Sequence, residues 1–259
     1  MPHPLQLLAL DTSTDMMSIA VSGGHTGRPG LWQHTGAGGA QASAALIPAI
    51  VDLMARAGLD FGELDAIAFG CGPGAFTGLR TACAVAQGLA FGARVPPGRP
   101  GVLVLPVDTL LAVAEEARCR HQPDGQALRV LAMLDARMDE IYAAAYAFDG
   151  QHWRQVQDYR LGHPEQLDLP PGWLGQGFLM AGNVFTAYGA RLPVPAAMPR
   201  LTVLPSAAAM VRLAPALLGQ GAAVRPEQAL PTYIRDKVAQ TSSERAAAKA
   251  ALAGAPTSA

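Results

Sequence analysis

The sequence predicts an α/β fold of two similar lobes, each a mixed sheet flanked by helices. Two observations favour this class: a strand–turn–strand segment that occurs twice, and a glycine-rich loop between a predicted strand and helix. The copies are LLALDTSTDMMSIAV from Leu7 and LAMLDARMDEIYAAA from Leu131. Aligning Asp11 with Asp135 also places Asp15 over Asp139, as internal duplication would require.

Composition supports a large buried core. Half of the 259 residues are hydrophobic and 15% are charged, and a chain of this length buries roughly 70–75% of the surface that its unfolded form exposes. The net charge is -1, with no basic stripe of the kind that proteins binding nucleic acid alone use to neutralise phosphates. If RNA takes part in the function, another chain is expected to hold it.

Cysteine use and hydropathy predict a cytoplasmic protein. Three cysteines, an odd number without metal-ligand spacing, fit a reducing compartment. The apolar run at the start stops at Asp11, and no stretch approaches the roughly 18 uncharged apolar residues of a membrane helix. We therefore expect a soluble chain with no membrane contact.

The first lobe is predicted over residues 1–105. Apolar runs and turn signals predict its elements. Pro48 falls inside the first predicted helix, where an interior proline costs about 3 kcal/mol unless the helix begins late or kinks. The predicted strands are 5–10, 17–21, 31–34, 65–70 and 102–105, and the predicted helices are 44–57 and 77–91.

The second lobe is predicted over 106–241. Asp108 is a good N-cap for a helix through Arg118. After the second hairpin come a strand over 155–161, a short helix opened by Pro164 and a strand over 202–204, followed by a helix capped at Ser206. The Ala-, Ser- and Lys-rich stretch 242–259 is predicted to be a loosely held tail.

The glycine-rich loop GCGPGAFTG, residues 70–78, is the most specific segment. Glycines such as Gly72 and Gly74 would let backbone N–H groups approach an anion at a helix N-terminus. The loop lacks the Gly-Lys-Ser/Thr ending of a P-loop. The alternative, a tight turn that seats the helix against the sheet, is favoured over phosphate binding.

The turn of each repeated hairpin holds the other candidate ligand groups. Asp11, Thr12 and Ser13 are weak candidates for cofactor binding, and Asp135 begins the matching turn. An enzyme would use such carboxylates for a divalent cation, but Ala136 stands where a hydroxyl would help. Both aspartates could instead cap the hairpins by accepting backbone hydrogen bonds, and this structural role is favoured.

No catalytic or metal site is predicted. The six histidines never occur at i, i+3 or i, i+4 spacing, which leaves only a site assembled from distant histidines. Cys71 has no neighbouring His or Lys that would lower its thiol pKa. The chain is expected to have no cofactor of its own.

Two helices of the first lobe are apolar nearly all round, at 44–51 and 82–91. A helix on one side of a sheet needs a single apolar stripe, so all-round apolarity indicates cover on both sides. Other parts of the chain could provide that cover, but a partner protein is favoured for so small a lobe. The predicted partner interface is Ile47, Ile50, Val51, Met54, Leu79, Ala82, Cys83 and Ala86.

Three segments resemble the TsaB family, the dimerisation subunits of the bacterial tRNA threonylcarbamoyladenosine complex. They are the two hairpin segments and AFGCGPGAFTGLRTACAVAQGLAFG at 68–92, with PTYIRDKVA at 231–239 similar to the closing motif of the family. The resemblance implies an actin-like (ASKHA) fold of duplicated RNase H-like lobes. It also implies a non-catalytic activator of the paralogous catalytic subunit TsaD.

According to the resemblance, TsaD attaches threonylcarbamoyl to adenosine 37 of tRNAs that read codons starting with A, the ATPase TsaE joins the complex, and tRNA binds only through it. Catalytic relatives carry a His-x-x-x-His metal pair on the first helix, whereas residues 41–48 here read QASAALIP. Ala75 stands where the family usually has serine. The resemblance leaves open whether ATP or ADP binds at the heterodimer boundary.

Two other readings stay open. One is an enzyme of the same fold, either an ATP-dependent small-molecule kinase or a metallopeptidase-like protein. The other is a homodimer that pairs through the same two helices when the chain is alone.

Overall fold

The computed structural model describes residues 4–24, 30–121 and 124–235, which form two five-stranded sheets with helices against them. The strands are β1 Leu7–Asp11, β2 Met16–Gly23, β3 Gly30–Ala37, β4 Ala66–Gly72, β5 Leu103–Asp108, β6 Leu128–Arg137, β7 Glu140–Phe148, β8 Trp153–Gly162, β9 Leu179–Gly182 and β10 Arg200–Thr202. The helices are α1 Ala42–Ala57, α2 Phe76–Gly92, α3 Thr109–His121, α4 Trp173–Gln176, α5 Phe185–Tyr188 and α6 Ala207–Gly219.

The two sheets have the same topology. The first has the order β3-β2-β1-β4-β5, and the second, taken from its β8 edge, has the order β8-β7-β6-β9-β10. In each sheet the first three strands are antiparallel and the last two run parallel to the central strand. The duplication predicted from the two hairpin segments is therefore confirmed.

The first sheet is covered on both faces. Leu8, Leu10 and Phe69 pack against α1 and α2 on one face. Leu7 and Ala9 face the opposite side and pack against α6, because successive side chains of a strand alternate between faces. The helices α1 and α2 thus share one side of the first sheet.

Helix α3 lies between the lobes. Its Leu110, Val113 and Ala117 pack on the second sheet, while Ala112 belongs to the core of the first. The other face of the second sheet is covered by α4, α5 and their loops, with Trp173 among the buried side chains.

Two features correct the predicted lobe boundary between residues 105 and 106. Strand β5 continues to Asp108 because its pairing with β4 extends through Gly72. Helix α6 also packs mainly on the first sheet, so part of the predicted 106–241 lobe belongs to the first lobe by contact. The order of elements in the sequence could not show that α6 packs on the first sheet. That packing depends on which sheet has a face left uncovered by other helices.

Local signals placed most elements well. The Ser206 hydroxyl accepts a hydrogen bond from the Ala209 N–H at 3.0 Å and caps α6, and the Asp108 carboxylate accepts one from the Leu110 N–H at 2.9 Å. Strand β3 is longer than the predicted 31–34, since it pairs with β2 over eight residues despite its glycines. The predicted tail, 242–259, lies outside the described residues.

Candidate functional site

A cleft of about 290 Å³ lies between the lobes, where the two repeated hairpin turns face each other. Apolar side chains form much of its wall, and charged side chains lie around the two turns. The residues that line it are Ser13, Thr14, Asp15, Pro73, Gly74, Ala75, Phe76, Leu79, Leu134, Asp135, Ala136, Arg137, Met138, Tyr142, Asn183, Thr232, Tyr233, Ile234 and Arg235.

The aspartates at the two turns cap them in the same way. Asp11 Oδ1 accepts hydrogen bonds from the Ser13 N–H at 3.1 Å and the Ser13 hydroxyl at 2.8 Å. Asp135 Oδ1 accepts one from the Arg137 N–H at 2.8 Å. Both carboxylates therefore close a turn two residues ahead, as the structural interpretation predicts.

An ion pair joins the turns across the cleft. Arg137 donates to Asp15 of the first hairpin at 2.6 Å and to Asp135 at 3.3 Å. Asp15, the nearer acid, raises the pKa of the Arg137 guanidinium. The guanidinium thus bridges the two hairpin turns.

The glycine loop is packed against the first hairpin. A Cβ atom on Gly78 would lie 1.8 Å from the Thr12 carbonyl oxygen, and one on Gly74 would lie 2.7 Å from Ser13 Cβ. The Ala75 N–H donates to the Ser13 carbonyl at 2.8 Å, and Thr12 Oγ1 donates to the Gly78 carbonyl at 2.6 Å. Glycine here permits close backbone approach, which supports the tight-turn interpretation.

Gly72 serves the same turn. It has a φ of 127°, a value that favours glycine, and a Cβ there would lie 2.4 Å from the Thr232 carbonyl oxygen. Its N–H donates to Thr109 Oγ1 at 3.0 Å. This amide therefore already has a hydrogen-bond partner within the protein.

Two buried carboxyls lie beneath the cleft. Burial raises the pKa of Asp11 to about 6, against the lowering effect of its bonds from Ser13. Asp11 Oδ2 has no hydrogen-bond partner and points at Gly70, where a Cβ would lie 2.0 Å away. Burial likewise raises the pKa of Asp108 to about 6, although Asp108 accepts a hydrogen bond from the Tyr146 hydroxyl.

Cys71 lies on β4 close to both carboxyls. Burial, and next the charge of Asp108, raise its thiol pKa to about 12, so it is not an activated nucleophile. Among the residues that the structure describes, no group of three or more His, Cys, Asp or Glu side chains could hold a metal ion.

The outer sides of α1 and α2 form a second candidate site. On α1, Ile47 and Val51 are 49% and 51% exposed, and on α2, Phe91 is 64% exposed. Ala84 and Gly88, one turn apart on α2, are also exposed. We call the exposed residues Ala44, Ile47, Pro48, Val51, Ala84, Gly88 and Phe91 the two-helix surface.

The predicted interface residues must be corrected against this surface. Ile47 and Val51 lie on it, but six others are buried in the core of the first lobe. These six are Ile50, Met54, Leu79, Ala82, Cys83 and Ala86. Since both helices are apolar nearly all round, the sequence did not indicate which stripe would face the sheet.

Comparison with known proteins identifies the family. A family profile described as TsaD, the tRNA N6-adenosine threonylcarbamoyltransferase, matches residues 38–243. The chain is 30% identical to the tRNA threonylcarbamoyladenosine biosynthesis protein TsaB of Escherichia coli K12, over 91% of this chain and 96% of that protein. The chain belongs to the TsaB family.

Other relatives agree with this assignment. The TsaB protein of Haemophilus influenzae is 37% identical over a segment that covers 62% of this chain and 66% of the relative. The structure of YeaZ from Pseudomonas aeruginosa superposes with a TM-score of 0.76 at 36% identity, covering 89% of this chain and all of that one. The resemblance to TsaB and the duplicated actin-like fold are both confirmed.

Residues outside the predicted site also line the cleft of this TsaB-family chain. Arg137 and Tyr142 come from the second hairpin, and Tyr233 and Arg235 from the closing segment. The similarity of residues 231–235 to the closing motif of the family marked that segment, but gave no reason to place it at the cleft.

Among the described residues, no helix is long and apolar enough to cross a membrane.

Proposed function

We propose that this chain is a non-catalytic subunit in the biosynthesis of threonylcarbamoyladenosine in tRNA, and that it activates a TsaD protein by forming a heterodimer through the two-helix surface. The observation that carries the proposal is the exposed apolar face shared by α1 and α2 in a chain of the TsaB family. In this proposal the TsaD partner modifies adenosine 37 of tRNAs that read codons starting with A.

The physical argument starts from exposed apolar side chains on neighbouring helices. Ile47 and Val51 lie one turn apart on α1, with about half of each side chain in water. Ala84 and Gly88 leave the outer side of α2 without bulk. Small residues allow a partner helix to approach at the short end of the usual 8–10 Å interaxial range, and burying the apolar atoms is favourable.

The cleft supports a non-catalytic role. Arg137 pairs with Asp15 between the two turns, and the loop amides of Gly72 and Ala75 donate to groups of the chain itself. The charge balance of -1 also supports tRNA binding by the complex rather than by this chain. In this proposal TsaE joins the pair, and any ATP or ADP binds at the boundary between subunits.

The direct test is Val51→Arg, measured as affinity for purified TsaD by isothermal titration. A charge left unpaired in an apolar interface costs several kcal/mol, so we expect affinity to fall by about a hundredfold or more. Leu174→Arg is the matched control, because Leu174 is 56% exposed on α4 of the other lobe. The assignment of the surface would be refuted if both variants lost affinity for TsaD, or if Val51→Arg kept full affinity.

The same proteins test the rest of the proposal. Reconstituted tRNA modification should require this chain together with TsaD and should fail with Val51→Arg. Titration of the isolated chain with Mg-ATP should give no binding in the cleft; tight binding with turnover would instead support an enzyme. Mass measurement of the chain alone shows whether the two-helix surface also forms a homodimer, which the partner should then displace.

A further inference from the structure

We infer that residues 226–235, here called the strap, latch the two lobes together and close the interlobe cleft, and that the strap opens when its Arg235 end is released. The segment extends the closing motif of the sequence toward α6, and nothing in the proposed heterodimer requires it. The inference stands on contacts that the strap makes with both lobes.

On the first lobe the strap lies along one stripe of α2. The Gln87 side chain donates to the carbonyls of Pro226 at 2.9 Å and Ala229 at 3.1 Å, and Cys83 Sγ donates to the Ala229 carbonyl at 3.4 Å. Ala229 is fully buried in the core of this lobe. This end of the strap is firmly held.

The middle of the strap covers the end of β4 and the start of α2. The Thr232 N–H donates to the Cys71 carbonyl at 2.7 Å. Tyr233 packs its ring on Phe76 with centroids 4.9 Å apart, and its hydroxyl accepts from Arg80 Nε at 3.0 Å. These contacts place Thr232 over Cys71 and make the strap part of the cleft wall.

At its far end the strap reaches the second lobe through two neighbouring residues, and the first of them, Ile234, packs against the core of that lobe. Arg235 donates to the Ala136 carbonyl at 3.1 Å and to the Glu140 carboxylate, both on the second hairpin. The guanidinium also lies 3.0 Å from Met138 Sδ. Arg235 is thus the latch, and the residues from Thr232 to Arg235 cross from one lobe to the other over the cleft.

The alkylation rate of the Cys71 thiol can be used to measure opening of the strap. Cys71 Sγ lies 4.0 Å from Thr232 Oγ1, and burial keeps the thiol protonated. Opening the strap would expose this thiol to solvent and return its pKa toward the ordinary range, so alkylation would accelerate. Alkylation of a buried group measures the population of the open form when closing is fast.

The experiment uses the full chain with Cys119→Ser, which removes the most exposed cysteine. The chain is treated with N-ethylmaleimide, and the alkylation rate of Cys71 is measured by peptide mass spectrometry. Arg235→Ala should accelerate it by about tenfold or more, because charge-assisted hydrogen bonds are lost. Arg235→Lys, which retains the charge, should accelerate it less.

Arg160→Ala is the matched control, since Arg160 pairs with Asp168 on the surface of the second lobe, outside the hairpin turn that Arg235 contacts. It should leave the Cys71 rate unchanged. Hydrogen exchange in β1 reports general loosening and should also stay unchanged in Arg235→Ala. Should that variant fold poorly, Tyr233→Ala tests the same release from the α2 side.

Two results would overturn the inference. One is an unchanged Cys71 rate in a folded Arg235→Ala protein, which would mean that Arg235 does not hold the strap. The other is acceleration matched by faster exchange in β1, which would mean that Cys71 becomes reactive only when the whole lobe unfolds.

Discussion

Replacing Asp11 with Asn should make the protein more stable at neutral pH. Asp11 is completely buried, its Oδ1 accepts both hydrogen bonds from Ser13, and its Oδ2 accepts none. An Asn side chain can keep Oδ1 in place and put its amide nitrogen at the unpartnered position. The substitution therefore removes a buried charge without removing a hydrogen bond.

The magnitude follows from the pKa of Asp11, which burial raises from 3.8 to about 6. That difference corresponds to about 3 kcal/mol of unfolding free energy. The folded chain holds its proton more tightly than the unfolded chain. The contribution of Asp11 to the stability of the wild-type protein is therefore fully present below about pH 4. It is lost as the pH rises through about 6.

The assay is urea unfolding of wild type and Asp11→Asn at a series of pH values between about 4 and 7.5. Subtracting the two curves cancels groups common to both, including Asp108. Across this pH range, the free energy of unfolding of the variant should rise relative to that of the wild type by up to about 3 kcal/mol. Ser13→Ala, which removes a bond that lowers the Asp11 pKa, should move the transition to higher pH. A difference that does not vary with pH would refute the reasoning.

Two glycine substitutions test the packing of α2, both measured by urea unfolding. Gly78→Ala should destabilise the chain by about 1–3 kcal/mol or more, because the new Cβ would lie 1.8 Å from the Thr12 carbonyl oxygen; an unchanged midpoint would contradict that close approach. Gly88→Ala should stabilise the chain by up to about 1 kcal/mol, since a Cβ there meets nothing within 4 Å and alanine favours helix. The same variant should weaken TsaD binding by filling the two-helix surface, and unaltered affinity would place the partner elsewhere.

Much of the fold could be predicted because its signals are local or repeated. The turn aspartates Asp11 and Asp135 follow apolar strands in both copies, so one alignment indicated the duplication. Ser206 and Asp108 act at helix starts through hydrogen bonds to residues two or three positions ahead. Such bonds depend on sequence spacing alone, and they were predicted correctly.

The candidate site depended more on tertiary structure. The apolar character of α1 and α2 indicated a partner surface, but only packing on the sheet decided that Val51 faces water while Ile50 is buried. In a helix that is apolar on all sides, the sequence does not indicate which side faces the sheet. The sequence could therefore indicate two apolar helices but could not show which of their residues are exposed.

The sequence by itself determined the family and the duplicated lobes and favoured the tight glycine turn, because each depends on residues close together in the chain. Only the tertiary structure decided that Arg137 pairs with Asp15, that α6 packs on the first sheet and that Arg235 pairs with Glu140 of the second hairpin. These contacts join residues far apart in the chain, and their geometry exists only after both lobes have folded and packed on α3.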